Sequence, residues 1–257
     1  MTYFIFSTRP KNMKYSCLYI EGPIGAGKST LSEIIVRRLK ELGYDVVLVS
    51  EPVDEWEESG IFKEFYDDMA GKSYEFQTTT FITRVTKIIN TFKEVSQRSI
   101  REQTESKHIV FVVERSIYSD RYFFAENLHD NGLISDYKFE FYKQWWNLWE
   151  RILNFDNMGF LYLKPSHTEC MMRCKERGRE NEKVLSDYQQ QLIDRHNKMF
   201  PDKYGNATVD SENGHINIPY MTIEDDRDFR DNVESKNKVQ DDIFDEFMGW
   251  FKNEIFD

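Results

Sequence analysis

The chain has 257 residues, of which 40% are hydrophobic and 15% aromatic, enough for one α/β domain with a sizeable core. With 45 acidic residues against 34 basic ones it carries a net charge of −11, which argues against a general nucleic-acid binder. No apolar run in the sequence reaches the length of a membrane span.

Residues 1–14 are expected to be a flexible N-terminal extension. Their apolar core, Tyr3-Phe4-Ile5-Phe6, is too small for a signal peptide, and the amphipathic Arg/Ser pattern of a transit peptide is missing. Met13 offers an alternative start. Residues 16–21 then read as a buried strand. Gly22-Pro23-Ile24-Gly25-Ala26-Gly27-Lys28-Ser29-Thr30 follows as G-x-x-x-x-G-K-S. An amphipathic helix over 31–42 completes the strand, loop and helix that give this motif its meaning as a phosphate-binding P-loop. Glycines let backbone N–H groups close around phosphate oxygens, and the helix N-terminus adds partial positive charge. Lys28 is placed to neutralise the β- and γ-phosphates, and the Ser29 hydroxyl to reach Mg²⁺.

Near-continuous apolar runs at 45–50 and 109–114 predict parallel strands covered on both faces. Runs at 159–164 and 215–222 predict a fourth and a fifth. Helices are expected over 76–93, 136–153, 168–177, 184–199 and 232–252. The alternation predicts a doubly wound five-stranded parallel sheet. Such sheets bind ligands beyond the carboxyl ends of their strands, which puts the P-loop, Glu51 and Arg115 in one cleft. In the helix over 136–153, Tyr142, Trp145 and Trp149 fall at i, i+3 and i+7. They form one stripe, which belongs either to the core or to a partner-helix interface.

Glu51-Pro52-Val53 follows the second strand. A carboxylate there can take the proton of an attacking hydroxyl; the alternative is a solvated loop glutamate. Glu114-Arg115-Ser116 closes the third strand. An arginine at that point can stabilise charge on a transferred phosphoryl group, and Glu114 can hold Mg²⁺ directly or through water. The alternative is a structural Arg–Glu pair. Arg173, Arg177 and Arg179 surround the end of a helix at Gly178 and read as a mobile basic lid. Arg173 and Arg177 are four apart and share a helix face. Closure of such a lid over a triphosphate would exclude water. Cys17, Cys170 and Cys174 lack further ligands at metal spacing and read as reduced thiols of a cytoplasmic protein.

Taken in order, Gly22–Thr30, Glu51-Pro52-Val53 with Trp56, Phe76-Gln77-Thr78, Glu114-Arg115-Ser116-Ile117-Tyr118-Ser119-Asp120-Arg121-Tyr122 and Arg177-Gly178-Arg179 closely resemble the deoxynucleoside kinases of the deoxycytidine and deoxyguanosine kinase type. The resemblance runs from about residue 18 to about 199, with a weaker tail, and makes 15–257 one kinase domain. It implies transfer of the γ-phosphoryl group of ATP or another nucleoside triphosphate to the 5′-hydroxyl of a deoxynucleoside. It implies Glu51 as the base and Arg115 beside the hydroxyl and the transferred phosphate. Lys28, Arg173, Arg177 and Arg179 fall on the donor phosphates, together with the loop residues Gly22, Gly25, Ala26, Gly27, Ser29 and Thr30. Ser29 and Glu114 fall on Mg²⁺. Gln77 would read the base edge, Phe76 and Phe124 would line the base slot, and Tyr66 and Glu182 would bind the sugar 3′-hydroxyl. Asp228-Phe229 resembles the loop that holds the donor base. After Arg179 the chain reads Glu180-Asn181-Glu182, so its acidic residues are not adjacent as they are in the family it resembles; Glu182 fits by spacing.

Arg84 lies two helical turns beyond Gln77 and faces the same side. With Asp120 it would narrow the base pocket and disfavour the 5-methyl and 4-keto edge of thymine; alternatively the two form a structural pair. The expectation is a preference for deoxycytidine, deoxyadenosine or deoxyguanosine. By resemblance the protein would be a cytoplasmic homodimer joined through the helices 76–93 and 136–153, with small-molecule partners and neither nucleic acid nor membrane among them. Three other readings compete. A nucleoside monophosphate kinase shares the fold, but Glu51 would repel its acceptor phosphate. A switch GTPase is suggested by Asp68-Met69-Ala70-Gly71 as D-x-x-G, which follows no strand and has no N-K-x-D companion. A non-catalytic nucleotide-binding subunit would usually have lost the lysine, the base or the lid arginine.

Overall fold

The computed structural model describes residues 13–102, 108–153, 155–179, 182–211, 214–226 and 236–256. Strand β1 (Lys14–Glu21) leads through the P-loop into α1 (Lys28–Glu41), and β2 (Asp45–Val49) follows. Short helices α2 (Val53–Glu58) and α3 (Ile61–Asp67) precede the 33-residue α4 (Met69–Arg101). After β3 (His108–Glu114) the chain forms α5 (Ile117–Ser119), a π-helical turn (Asp120–Ala125) and α6 (Glu126–Asp130). Next come α7 (Asp136–Ile152), β4 (Asn157–Leu163), α8 (His167–Arg177) and α9 (Ser186–Met199). The hairpin β5 (Tyr204–Ser211) and β6 (Gly214–Ile223), then α10 (Lys236–Phe251) with a final π turn (Lys252–Phe256), end the described chain.

The strands form one sheet in the order β2-β3-β1-β4-β6-β5. The five parallel strands expected from the sequence are present, but the sheet has six: β5 adds an antiparallel edge beside β6. Alternate residues of each strand point to opposite faces, so two cores result. On one face Tyr15, Cys17, Tyr19, Phe111 and Phe160 pack with Phe81, Val85, Ile88 and Phe92 of α4 and Tyr142 and Trp146 of α7. On the other, Leu18, Ile20, Val110, Val112 and Leu161 meet Leu31, Ile35 and Leu39 of α1 and Phe247 and Phe251 of α10.

Several expectations need correction. Met13 is buried and β1 opens at Lys14, so these two residues belong to the folded body; residues 1–12 of the expected extension lie outside the described residues. In α7 the buried face is Phe139, Tyr142 and Trp146, whereas Trp145 is 52% exposed. The stripe Tyr142, Trp145 and Trp149 is therefore not one surface: Tyr142 is core, Trp149 half-buried and Trp145 in solvent. The D-x-x-G match has a structural cause, because Asp68 caps α4 and its Oδ1 accepts from the Gly71 backbone N–H at 2.9 Å.

Candidate active site

The P-loop, the carboxyl ends of β2 and β3, and helices α2, α3, α4, α8 and α9 enclose one cavity of about 440 Å³. Its size and partly aromatic lining are those of a small-molecule site. The loop is built by glycines with positive φ: Gly25 at 77° and Gly27 at 95°. A Cβ on Gly25 would stand 2.4 Å from the Cys170 carbonyl oxygen and 2.7 Å from the Cys174 sulfur, so only glycine lets α8 close on the loop. Lys28 is buried and donates to the carbonyl oxygens of Gly22 (3.2 Å) and Pro23 (2.9 Å). Burial, reinforced by Arg115, lowers its pKa to about 8 against the pull of Glu51 and Glu114. The Ser29 hydroxyl donates to Glu114 Oε1 at 2.7 Å. Two hard oxygen donors thus sit side by side at the foot of the loop. They fit Mg²⁺, which takes one or two protein ligands and completes its shell with phosphate and water.

Glu51 sits two residues past β2, close to the tip of β3. Its Oε1 is 2.5 Å from Arg84 Nη2 and 3.4 Å from Arg115 Nε. Burial pushes this carboxyl up, but Arg115, Arg84 and Lys28 together outweigh burial and hold it down at about 2. Arg84 also pairs through Nη1 with Asp120 Oδ2, and its guanidinium lies 5.4 Å from the Trp56 ring centroid. Burial pushes the Asp120 carboxyl up and Arg84 opposes this. Asp120 in turn orients Gln77, whose Nε2 donates to the Asp120 carbonyl and to Oδ1, both at 3.1 Å. Arg115 has φ 61°, the left-handed region that non-glycine residues rarely enter. Its guanidinium lies 4.8 Å from the Phe124 ring centroid, and its Nη1 is buried with no hydrogen-bond partner. The turn is held from below: Arg115 N donates to the Ile20 carbonyl at 3.1 Å, and Ser116 N to the fully buried Glu21 at 2.9 Å.

Of the residues singled out from sequence, the cavity wall brings together Gly25, Gly27, Lys28, Ser29, Thr30, Glu51, Tyr66, Phe76, Gln77, Arg84, Glu114, Arg115, Asp120, Phe124, Arg173, Arg177, Arg179 and Glu182. Gly22 and Ala26 form the loop behind it, where Ala26 O accepts from Arg173 Nη1 at 3.0 Å. Arg177 pairs with Glu182, and Arg179 with Glu57 and, at 3.5 Å, with Glu182. Asp228 and Phe229 lie outside the described residues. Sequence reasoning missed Phe62, Phe65, Thr80 and Tyr188 in the wall. Phe65 stacks on Phe76 with centroids 4.2 Å apart. The density of rings between Trp56 and Tyr66 was the available signal.

A family model described as deoxynucleoside kinase matches residues 18–249. The chain belongs to the deoxynucleoside kinase family. It is a phosphotransferase, with nucleoside and nucleotide as its small-molecule substrates. The chain is similar to a probable deoxycytidine kinase of fowlpox virus, 30% identical over 228 residues that cover 88% of this chain and 86% of the relative. It is similar to deoxycytidine kinase 2 of Gallus gallus, 30% identical over 245 residues, 87% of each chain. It is also similar to a mitochondrial deoxyguanosine kinase of Xenopus laevis, 26% identical over 254 residues covering 91% and 90%. Among the described residues no helix is long and apolar enough to cross a membrane.

The state of Lys28 sets a pH dependence. A lysine that holds phosphate must be in its ammonium form, and in the free protein that form of Lys28 is lost above about pH 8. Affinity for ATP, measured by calorimetry without acceptor, should hold from pH 7 to 8 and then fall by about tenfold per pH unit. The fall should be absent in Lys28→Met. A flat wild-type profile to pH 9.5 would contradict the assignment.

Proposed function

We propose that this kinase transfers the γ-phosphoryl group of ATP or another nucleoside triphosphate to the 5′-hydroxyl of a deoxynucleoside, and that it favours deoxycytidine or purine deoxynucleosides over thymidine. The observation that carries the reading is the ionised Glu51, held by two arginines in the same cavity as the P-loop lysine. A carboxylate there suits a neutral hydroxyl acceptor and repels a phosphorylated one, which disfavours a monophosphate kinase.

In this reading the acceptor lies in the aromatic half of the cavity, its base between Phe76 and Phe124 and its edge against Gln77, Arg84 and Asp120. Tyr66 and Glu182 bind the sugar 3′-hydroxyl. The 5′-hydroxyl donates to Glu51 and lies beside Arg115. Glu51 is a weak base, so it orients the hydroxyl first. It accepts the proton late, once bonding to phosphorus has made the oxygen acidic, as a loose transition state permits. Lys28, Arg173, Arg177 and Arg179 take the charge of the donor phosphates. Ser29 and Glu114 would hold Mg²⁺, which when bound supplies further neutralisation of those phosphates. Acceptor atoms of Asp120 at the base edge favour an exocyclic amine and oppose the 4-keto group of thymine.

We further propose a cytoplasmic homodimer. The three cysteines are free thiols, as a reducing compartment favours. Tyr137, Phe141, Trp145 and Leu148 form an exposed apolar stripe along α7, and Ile82 is exposed on α4, which packs beside it. Such a stripe is more apolar than a solvated helix face requires.

Two measurements test these proposals. Labelled ATP with Mg²⁺ should phosphorylate deoxycytidine or a purine deoxynucleoside and leave thymidine and all monophosphates nearly untouched. In Arg84→Met combined with Asp120→Ala the thymidine-to-deoxycytidine ratio should rise by about tenfold or more. Turnover of monophosphates alone would reassign the acceptor site, and an unchanged ratio would move selectivity elsewhere. Light scattering should give about twice the 30.9 kDa chain mass, reduced to one chain by Phe141→Asp with Trp145→Asp. A wild-type mass near one chain would refute the dimer.

A further inference from the structure

Asp120 and Phe124 reach the cavity from a π-helical turn. Such turns are rare, and surrounding contacts must hold them. The contacts here converge on Arg121, the residue next to Asp120. Its side chain is only 10% exposed. The guanidinium carbon lies 4.5 Å from the Trp146 ring centroid and 4.9 Å from that of Tyr122, against both rings. Its Nη2 is 2.5 Å from Asp210 Oδ2 on β5, and its Nε is 3.9 Å from Glu126 Oε1. The Asp210 backbone N–H donates to the Tyr122 hydroxyl at 2.8 Å. The other Asp210 oxygen is 3.0 Å from His215 Nδ1, across the hairpin. Residues 121 and 122 are therefore fastened to the edge strand by one residue, through its side chain and its backbone.

We propose that Arg121 and Asp210 are positioning residues for base recognition. The edge strand β5, through this ion pair, fixes the π turn and with it the placement of Asp120 and Phe124. The inference rests on the reading of those two residues as the wall of the base slot. Arg121 suits this task because a planar guanidinium can stack on rings and fork to a carboxylate at once, which an ammonium cannot do. Asp210 is 41% exposed and is not part of the cavity wall that holds the P-loop and the donor arginines, so its loss should leave those groups in place.

The test uses the full chain with Asp210→Asn, Arg121→Lys and, as a control elsewhere on the hairpin, Thr208→Ala, which removes the γ-methyl together with the hydroxyl bonded to Asn217. In Asp210→Asn the KM for deoxycytidine should rise by about threefold to tenfold, the range of a partly exposed ion pair with a buried arginine. The KM for ATP and kcat should stay within about twofold, and the thymidine-to-deoxycytidine ratio should rise, because a loosened Asp120 no longer excludes the keto edge. Arg121→Lys should move the same quantities further in the same direction. Asp210→Glu should restore part of the loss, and Thr208→Ala should match the wild type. Melting curves separate this from a purely structural role. If Asp210→Asn and Arg121→Lys lower Tm but keep the wild-type KM and base ratio, the positioning role is wrong. If Thr208→Ala shifts KM as much as Asp210→Asn, the effect belongs to the hairpin as a whole and the ion pair has no special part. A wild type that phosphorylates no deoxynucleoside would overturn the parent reading and this one with it, whereas an active wild type with unresponsive variants would overturn this one alone.

Discussion

A carboxylate taken out of water must find cations. In this protein Asp120 is buried and Glu51 nearly so, and one guanidinium, that of Arg84, contacts both. Breaking a buried pair by removing one partner costs on the order of 3–5 kcal/mol, because the other charge is left without compensation. The bridge therefore fixes three residues from three elements: the loop after β2, the middle of α4 and the π turn. Much of the acceptor side of the cavity is arranged around it. Gln77 is oriented by Asp120, Trp56 covers Arg84, and Glu51 is left with Arg115 and Lys28 on its donor side. The same network that holds the wall in place keeps Glu51, the proposed base, charged at any pH where phosphoryl transfer would be measured.

The donor side follows a different constraint, that of close backbone approach. Gly25 admits the turn of α8 that carries Cys170 and Cys174, and the arginines of that helix come with it. Arg115 adopts a left-handed conformation, of a kind that costs about 1–3 kcal/mol, and the turn is held by its own N–H donating to Ile20 and that of Ser116 donating to Glu21 at the end of β1. Strain of this kind persists only where neighbours over-determine it. The P-loop and the turn at Arg115 are consequently one structural unit, joined through the last residues of the central strand.

Much of this was legible in the sequence, for physical reasons. The parallel strands are covered on both faces and so write themselves as apolar runs; the P-loop states its geometry in its glycines. The P-loop, Glu51 and Arg115 could be placed because strand ends in a doubly wound sheet converge on one cleft, whereas acceptor-side residues such as Tyr66, Gln77 and Phe124 came from the family resemblance. What escaped has equally physical causes. Strand β5 is an edge with only Ala207 and Val209 fully buried, so its apolar signal is two small residues. Helices α2 and α3 have six and seven residues, too few for a 3.6-residue period to register. The segment 117–130 breaks that period outright with its π turn. In α7 aromatic residues occur on both faces, so composition alone could not tell Trp146 in the core from Trp145 in solvent.

The central claim is that Glu51, kept ionised by two arginines, receives the proton of the acceptor hydroxyl. Single-turnover phosphorylation of deoxycytidine by Glu51→Gln, with ATP affinity measured in parallel, tests it most directly. The account predicts a rate lower by roughly 10²–10⁴-fold with donor affinity nearly intact. A wild-type rate in that variant would remove Glu51 from the chemistry and leave it a structural partner of Arg84.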